Sequence, residues 1–228
     1  MKPFRKLGEA AAPDGSLLAL FEHDGAYVIR VNGVELMSTR RHHSEDALAD
    51  LACGPLREQP GAKVLIGGLG LGFTLKAALA VLPPDAHVVV AEIIAEVIDW
   101  NRNPDYPLAA EALRDPRVEI LHADVADVLT QQPGAFDAVL LDVDNGTDPL
   151  TTSGNAHLYR ATGIRLAVAA LRVGGRLAYW SADEDRGFAA TLRSAGLNVT
   201  ATNVRAHTTA GPKHTVYVAQ RTADRRRP

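Results

Sequence analysis

Cysteine is almost absent from the 228-residue chain, where Cys53 stands alone. A single thiol can form neither an intrachain disulfide nor a thiolate metal cluster, so a reducing cytoplasm is the expected setting. Neither sign of charge is in excess: 24 Lys and Arg against 27 Asp and Glu leave a formal charge of -3. A polyanion held through many phosphate contacts needs a basic field, so nucleic acid is excluded as a partner. The one basic run, Arg225, Arg226 and Arg227, stands at the end of the chain and reads as a solvated tail. There is no run of about 18 uncharged apolar residues, so no spanning helix and no membrane partner are expected. Residues 1–7 carry charges and Pro3 rather than the apolar stretch of a secretory signal. What remains is ordinary globular usage, 46% hydrophobic and 22% charged with 19 Gly and 13 Pro, at a length that suggests one domain or one and a half.

Residues 17–21 (LLALF) and 26–31 (AYVIRV) flank His23, Asp24 and Gly25 as a hairpin would. Asn32-Gly33 favours the positive φ of a tight turn into residues 34–37. Ser44, Leu48, Leu51 and Ala52 then fall at helical spacing, closed by Gly54-Pro55. From Lys63 the chain alternates between strands and helices: KVLIGG, a helix over 73–82, HVVVAE, a helix near 93–101, VEILHA, a helix over 125–131, and FDAVLLD. A long helix ending at Gly174-Gly175 follows, then RLAYWS, a helix near 185–195, and strands near 197–204 and 214–220. Apolar runs without polar alternation suit strands covered on both faces, and repeated β-α units imply a parallel, doubly wound sheet. The expected organisation is a small β unit over 1–43, a linking helix over 44–60 and a nucleoside-binding catalytic domain over 61–228.

In such a sheet a ligand binds beyond the carboxyl ends of the strands, where strand order reverses. The first such loop spaces its glycines G-x-G-x-G at Gly68, Gly70 and Gly72, not the G-x-G-x-x-G that holds a pyrophosphate, which favours a nucleoside without phosphates. Glu92 ends the next strand 22 residues after Gly70, where a carboxylate can accept both ribose hydroxyls. Asp124 ends the third strand; it can accept the amino group of adenine or serve as a helix N-cap. The fourth strand runs into Asp142-Val143-Asp144-Asn145-Gly146 with Asp148 just beyond, a crowding of carboxylates that needs a compensating cation or ligand, or else an acidic turn. No His lies near enough in sequence to complete a transition-metal site, so no metal is expected. Trp100, Tyr106 and Tyr159 are expected to pack, and His207 and His214 to lie on the surface. His42 and His43 alternate faces on a strand, and His43 is taken as the one pointing inward.

These stretches, VLIGGLGLGFTL, VVVAE, RVEILHAD, FDAVLLD and a helix carrying Leu158-Tyr159 before VGGRL, resemble the spermidine synthases, a branch of the class I S-adenosylmethionine-dependent methyltransferase fold. The N-terminal segment NGVELM matches that branch better than plain methyltransferases. The resemblance covers nearly the whole chain. It implies an α/β fold with a doubly wound, mostly parallel, Rossmann-like seven-stranded sheet and a small N-terminal antiparallel β unit. It implies further that Glu92 holds the ribose, Asp124 the adenine, and that Asp142 orients or deprotonates an attacking amine while Asp144 shapes the acceptor pocket. His43, Asn145 and Trp180 are the expected acceptor contacts, and a homodimer is the assembly to expect. The chain departs from the family at Leu71, where those enzymes carry an Asp that pairs with the amine of the decarboxylated cofactor. It departs again at Asp142-Val143-Asp144, where theirs reads D-S-S-D-P, and at Trp180-Ser181, where they carry Gln; His43-Ser44-Glu45 only loosely echoes their Tyr-His-Glu.

Three functions follow. One is transfer of a methyl or aminopropyl group from S-adenosylmethionine or its decarboxylated form to a small amine; Leu71 tilts this toward the carboxylated donor. Another is a non-catalytic nucleoside-binding or regulatory protein. The last, a nicotinamide-dependent oxidoreductase, is opposed by the glycine spacing.

Overall fold

The computed structural model describes residues 3–143, 155–209 and 211–222. Four strands, β1 (Arg5–Ala11), β2 (Leu17–His23), β3 (Ala26–Val31) and β4 (Val34–Ser38), form an antiparallel meander. The turns are where they were expected: Asp24 and Asn32 take positive φ beside Gly25 and Gly33. Strand β1 has no counterpart in the sequence reading. Its run RKLGEAA is charged and mostly exposed, so neither composition nor alternation marks it; it is a strand because β2 offers an edge to pair with.

Helix α1 (His43–Cys53) and a 3-10 turn (Gly54–Leu56) lead to the larger sheet. It contains β5 (Lys63–Gly67), β6 (His87–Glu92), β7 (Val118–His122), β8 (Phe136–Leu141), β9 (Leu171–Ser181), β10 (Leu197–Arg205) and β11 (Lys213–Arg221). Strand order is β10-β11-β9-β8-β5-β6-β7; the five strands from β9 to β7 run parallel, and β11 pairs antiparallel to both β9 and β10. This is the doubly wound, mostly parallel sheet of the class I methyltransferase fold. The chain moves outward from β5 through β6 to β7, then returns to place β8 on the other side of β5, so strand order reverses between β5 and β8. Helices α2 (Phe73–Val81), α3 (Ala95–Arg102), α4 (Val125–Gln131), α5 (Ala161–Ala170) and α6 (Arg186–Ser194) connect the strands.

The period of two explains the core. Val64, Ile66, Val88, Val90, Ala138 and Leu140 face one cluster with α1, α2, α3 and the N-terminal sheet. Leu65, Val89, Ala91, Val139 and Leu141 face the other, under α4, α5 and α6. Both faces are dry, which is why these strands read as unbroken apolar runs.

The helix expected to run to Gly174-Gly175 ends instead at Ala170. Leu171 is extended and pairs with Phe136 of β8, while Ala170 O accepts from Ala135 N at 2.9 Å. Tertiary pairing thus takes residues whose local pattern continued the helix. Between the N-terminal sheet and the main sheet, a Cβ at Gly8 would lie 2.4 Å from Trp100 Nε1. Strand β1 therefore rests directly on α3, and Trp100 is a packing residue as expected.

Candidate active site

The site is built at the reversal point. The loop after β5 turns with Gly68, Gly70 and Gly72 all at positive φ. At all three a neighbour also crowds the place of a side chain, at Gly72 the Cβ of Ala109 at 2.3 Å. A Cβ at Gly68 would sit 2.3 Å from the backbone oxygen of Asp142, and one at Gly70 2.7 Å from Met37 Cε. The first contact draws the end of β8 against the loop; the second brings β4's Met37 down from the N-terminal sheet. Gly72 is the left-handed N-cap of α2 and packs on Ala109. Asn101 of α3 ties the loop down, donating Nδ2 to Gly70 O at 2.7 Å.

Glu92 is buried at the end of β6, 6% exposed. One carboxylate oxygen accepts from Leu69 N at 2.8 Å and the other from Ile94 N at 2.9 Å. Burial raises its pKa, and the backbone N–H groups oppose that shift. Its position is thus fixed by the loop it faces. Asp124 caps α4, accepting from Ala126 N at 2.8 Å through Oδ1. It also lines the cleft in front of Glu92, so the cap and a ligand contact are compatible. That cleft has a cavity volume of about 90 Å³ and is walled by Gly68, Gly70, Glu92, Asp124, Asp142 and Val143. Leu18, Ile29, Leu36 and Met37 of the N-terminal sheet close its other side.

Asp142 stands where β8 ends. Its backbone N donates to Gly67 O at 2.9 Å, and Thr74 Oγ1 donates to its Oδ2 at 2.6 Å. Its carboxyl is raised to about 6, chiefly by burial, with the Thr74 hydroxyl acting the other way. Glu45, in the first turn of α1 and 8% exposed, is raised to about 7 by burial and by the charge of Asp142. Each of these repelling carboxyls is thus pushed toward its protonated form. They belong to a second cleft, about 210 Å³, lined also by Glu35, Met37, Arg41, Trp180 and His214. Asp142, Leu36 and Met37 line both clefts.

Trp180, expected as an acceptor contact, lines this second cleft. His43 does not line either cleft: it opens α1 rather than lying on a strand, and its backbone N donates to Ala206 O. His42 stacks on Phe73 at 4.1 Å and faces Asp46. His214, expected at the surface, is instead half-buried in the second cleft beside Trp180, its pKa lowered by burial. Leu71 is buried in the core and lines neither cleft. Asp144, Asn145 and Asp148 lie outside the described residues, as do Arg225, Arg226 and Arg227. Among the described residues, no three His, Cys, Asp or Glu side chains converge as metal ligands. Glu45, Thr74, Asn101 and Met37 were missed; only Glu45 had a sequence signal, the faint His-Ser-Glu echo.

No family model matches the chain. A curated polyamine aminopropyltransferase of Leptospira biflexa serovar Patoc is 29% identical over 120 residues, 52% of this chain. The match spans 41% of that relative's length. The spermidine synthase of Thermotoga maritima superposes with a TM-score of 0.76 over 96% of this chain and 74% of its own, at 22% identity. The chain shares the fold of that enzyme. A spermidine synthase solved with the transition-state analogue AdoDATO superposes nearly as well, TM-score 0.75 over 96% of this chain and 73% of that one, at 21% identity. In this chain the two clefts meet at Asp142.

Proposed function

We propose that the chain transfers an aminopropyl group from decarboxylated S-adenosylmethionine to a small amine. The observation that carries this reading is that Asp142 belongs to the walls of both clefts, the one fronted by the glycine loop, Glu92 and Asp124 and the one holding Glu45. The relatives named for aminopropyl transfer support this donor over the carboxylated one that Leu71 suggested.

In this reading Glu92 accepts the ribose hydroxyls and Asp124 the adenine amino group. The donor's positive sulfur faces Asp142. The amine nitrogen attacks the propyl carbon bonded to sulfur; a C–N bond forms, the C–S bond breaks, and its electron pair leaves on a neutral thioether. No acid is needed for that leaving group. The acceptor, with a pKa near that of Lys at about 10.4, arrives protonated and must lose a proton to become a nucleophile. Asp142 takes it, with Glu45 beside it as a second proton-holding carboxyl. Aligning nitrogen, carbon and sulfur supplies up to about 7–11 kcal/mol of the barrier. Trp180, and Asp144 and Asn145 beyond the described segment, are the proposed acceptor contacts.

Titration calorimetry with S-adenosylmethionine and its decarboxylated form, followed by mass spectrometry of products from a panel of amines, tests the reading. Tighter binding of the decarboxylated donor and an amine heavier by one aminopropyl group are expected. Preference for the carboxylated donor with a methylated product overturns it, as does binding of neither. A homodimer in the cytoplasm is the proposed setting; light scattering of the purified chain checks the assembly.

A further inference from the structure

Thr74 lies in the first turn of α2, 68 residues from Asp142 in sequence. Hydroxyls at such positions commonly turn back on nearby backbone. This one crosses to another element and donates to Asp142 Oδ2 at 2.6 Å. Thr74 is 3% exposed, so water does not compete for the bond, and its β-branch restricts χ1, so the hydroxyl is held at little entropic cost. The glycine loop that presents the donor cleft runs directly into this turn, so the same five residues that shape the cleft also aim the hydroxyl.

We propose that Thr74 is the positioning residue of the site: its hydroxyl occupies Oδ2 of Asp142, fixes the carboxylate's rotamer, and leaves Oδ1 as the atom that receives the acceptor's proton. The role in proton transfer rests on the reading of Asp142 as the base. The charged groups around Asp142 are Glu45 from α1, Glu92 and Asp124 in the donor cleft, and Glu35, Arg41 and His214 in the acceptor cleft. None of them donates the bond that Thr74 supplies. Because that bond favours the ionised carboxylate, its loss raises the pH at which Asp142 titrates.

The test is carboxyl carbon NMR titration of Asp142 in the full chain for the wild type, Thr74→Val, Thr74→Ala and Thr74→Ser, with the pH profile of transfer measured in parallel. The hydroxyl-free variants are expected to titrate about one pH unit higher, Thr74→Ser to titrate with the wild type, and the acid limb of the rate profile to move by the same amount. An unmoved midpoint in Thr74→Val or Thr74→Ala overturns the proposal. So does a Thr74→Ser midpoint displaced as far as theirs, since that assigns the effect to the lost methyl. A wild-type chain that titrates as expected but transfers nothing sinks the functional reading and leaves the hydrogen bond standing, which separates the two failures.

Discussion

Glu45 is buried and Asp142 part-buried at the wall of two clefts, and each consequence of the site begins with these two carboxyls. Burial raises both, Asp142 to about 6 and Glu45 to about 7. An acid whose folded pKa exceeds its unfolded value near 4 binds its proton more tightly in the native state. Its contribution to stability is therefore complete below pH 4 and is lost as pH rises through about 6 to 7. Calorimetric melting is expected to give a lower Tm at pH 8 than at pH 5.5. Glu45→Gln, which removes one of the repelling charges, is expected to raise the Tm at pH 8 by roughly 2–4 °C; an unchanged or lower value counts against repulsion between the two carboxylates. For the reaction, Asp142→Asn keeps the size of the side chain and loses the base. Transfer is expected to fall by roughly 10²–10⁴-fold while calorimetry still detects donor binding, weakened by loss of the charge facing the sulfonium; retention of full turnover would remove Asp142 from the mechanism.

The glycine loop between β5 and α2 is the element that turns an α/β sheet into a cleft. Its φ values exclude ordinary side chains, and Gly68 also meets the Asp142 backbone. Gly68→Ala is expected to cost about 1–3 kcal/mol of stability, read as a lower urea midpoint, because the strained conformation and the contact act together. Since the contact is with the residue that follows β8, the same variant is expected to weaken donor binding and slow transfer together. A variant as stable as the wild type would mean that loop and strand end can part without cost. At this scale the helix boundaries depend on pairing as well as on propensity. Helix α5 stops at Ala170 although Leu171, Arg172 and Val173 continue an apolar helical pattern, because β8 engages Leu171.

For the whole molecule, the N-terminal sheet is a wall of the donor cleft rather than an appendage, since Leu18, Ile29, Leu36 and Met37 line it. That sheet sits on α3 through Gly8 and Trp100. Trp100→Ala is expected to destabilise the chain by about 3–5 kcal/mol and to lower donor affinity more than a surface substitution of equal cost; denaturant unfolding and calorimetry measured on one preparation check both. Much of this architecture is legible in local pattern. The β-α order, the doubly wound sheet, the positive-φ glycines and the acids ending β6, β7 and β8 follow from runs of a few residues, because strand burial and turn geometry impose their own periodicity. Strand β1 is not legible, being polar and defined by its partner. Nor are the positions of His43 and His214, which differ by whether a short segment is helix, strand or exposed edge. The sequence by itself determined the sheet, the loop and the identity of the acids. Only the tertiary structure decided that Glu45, Thr74 and Met37 converge on Asp142, and that the two carboxyls among them are raised together. Protonation is set by desolvation and neighbouring charge, and both depend on segments far apart in the chain.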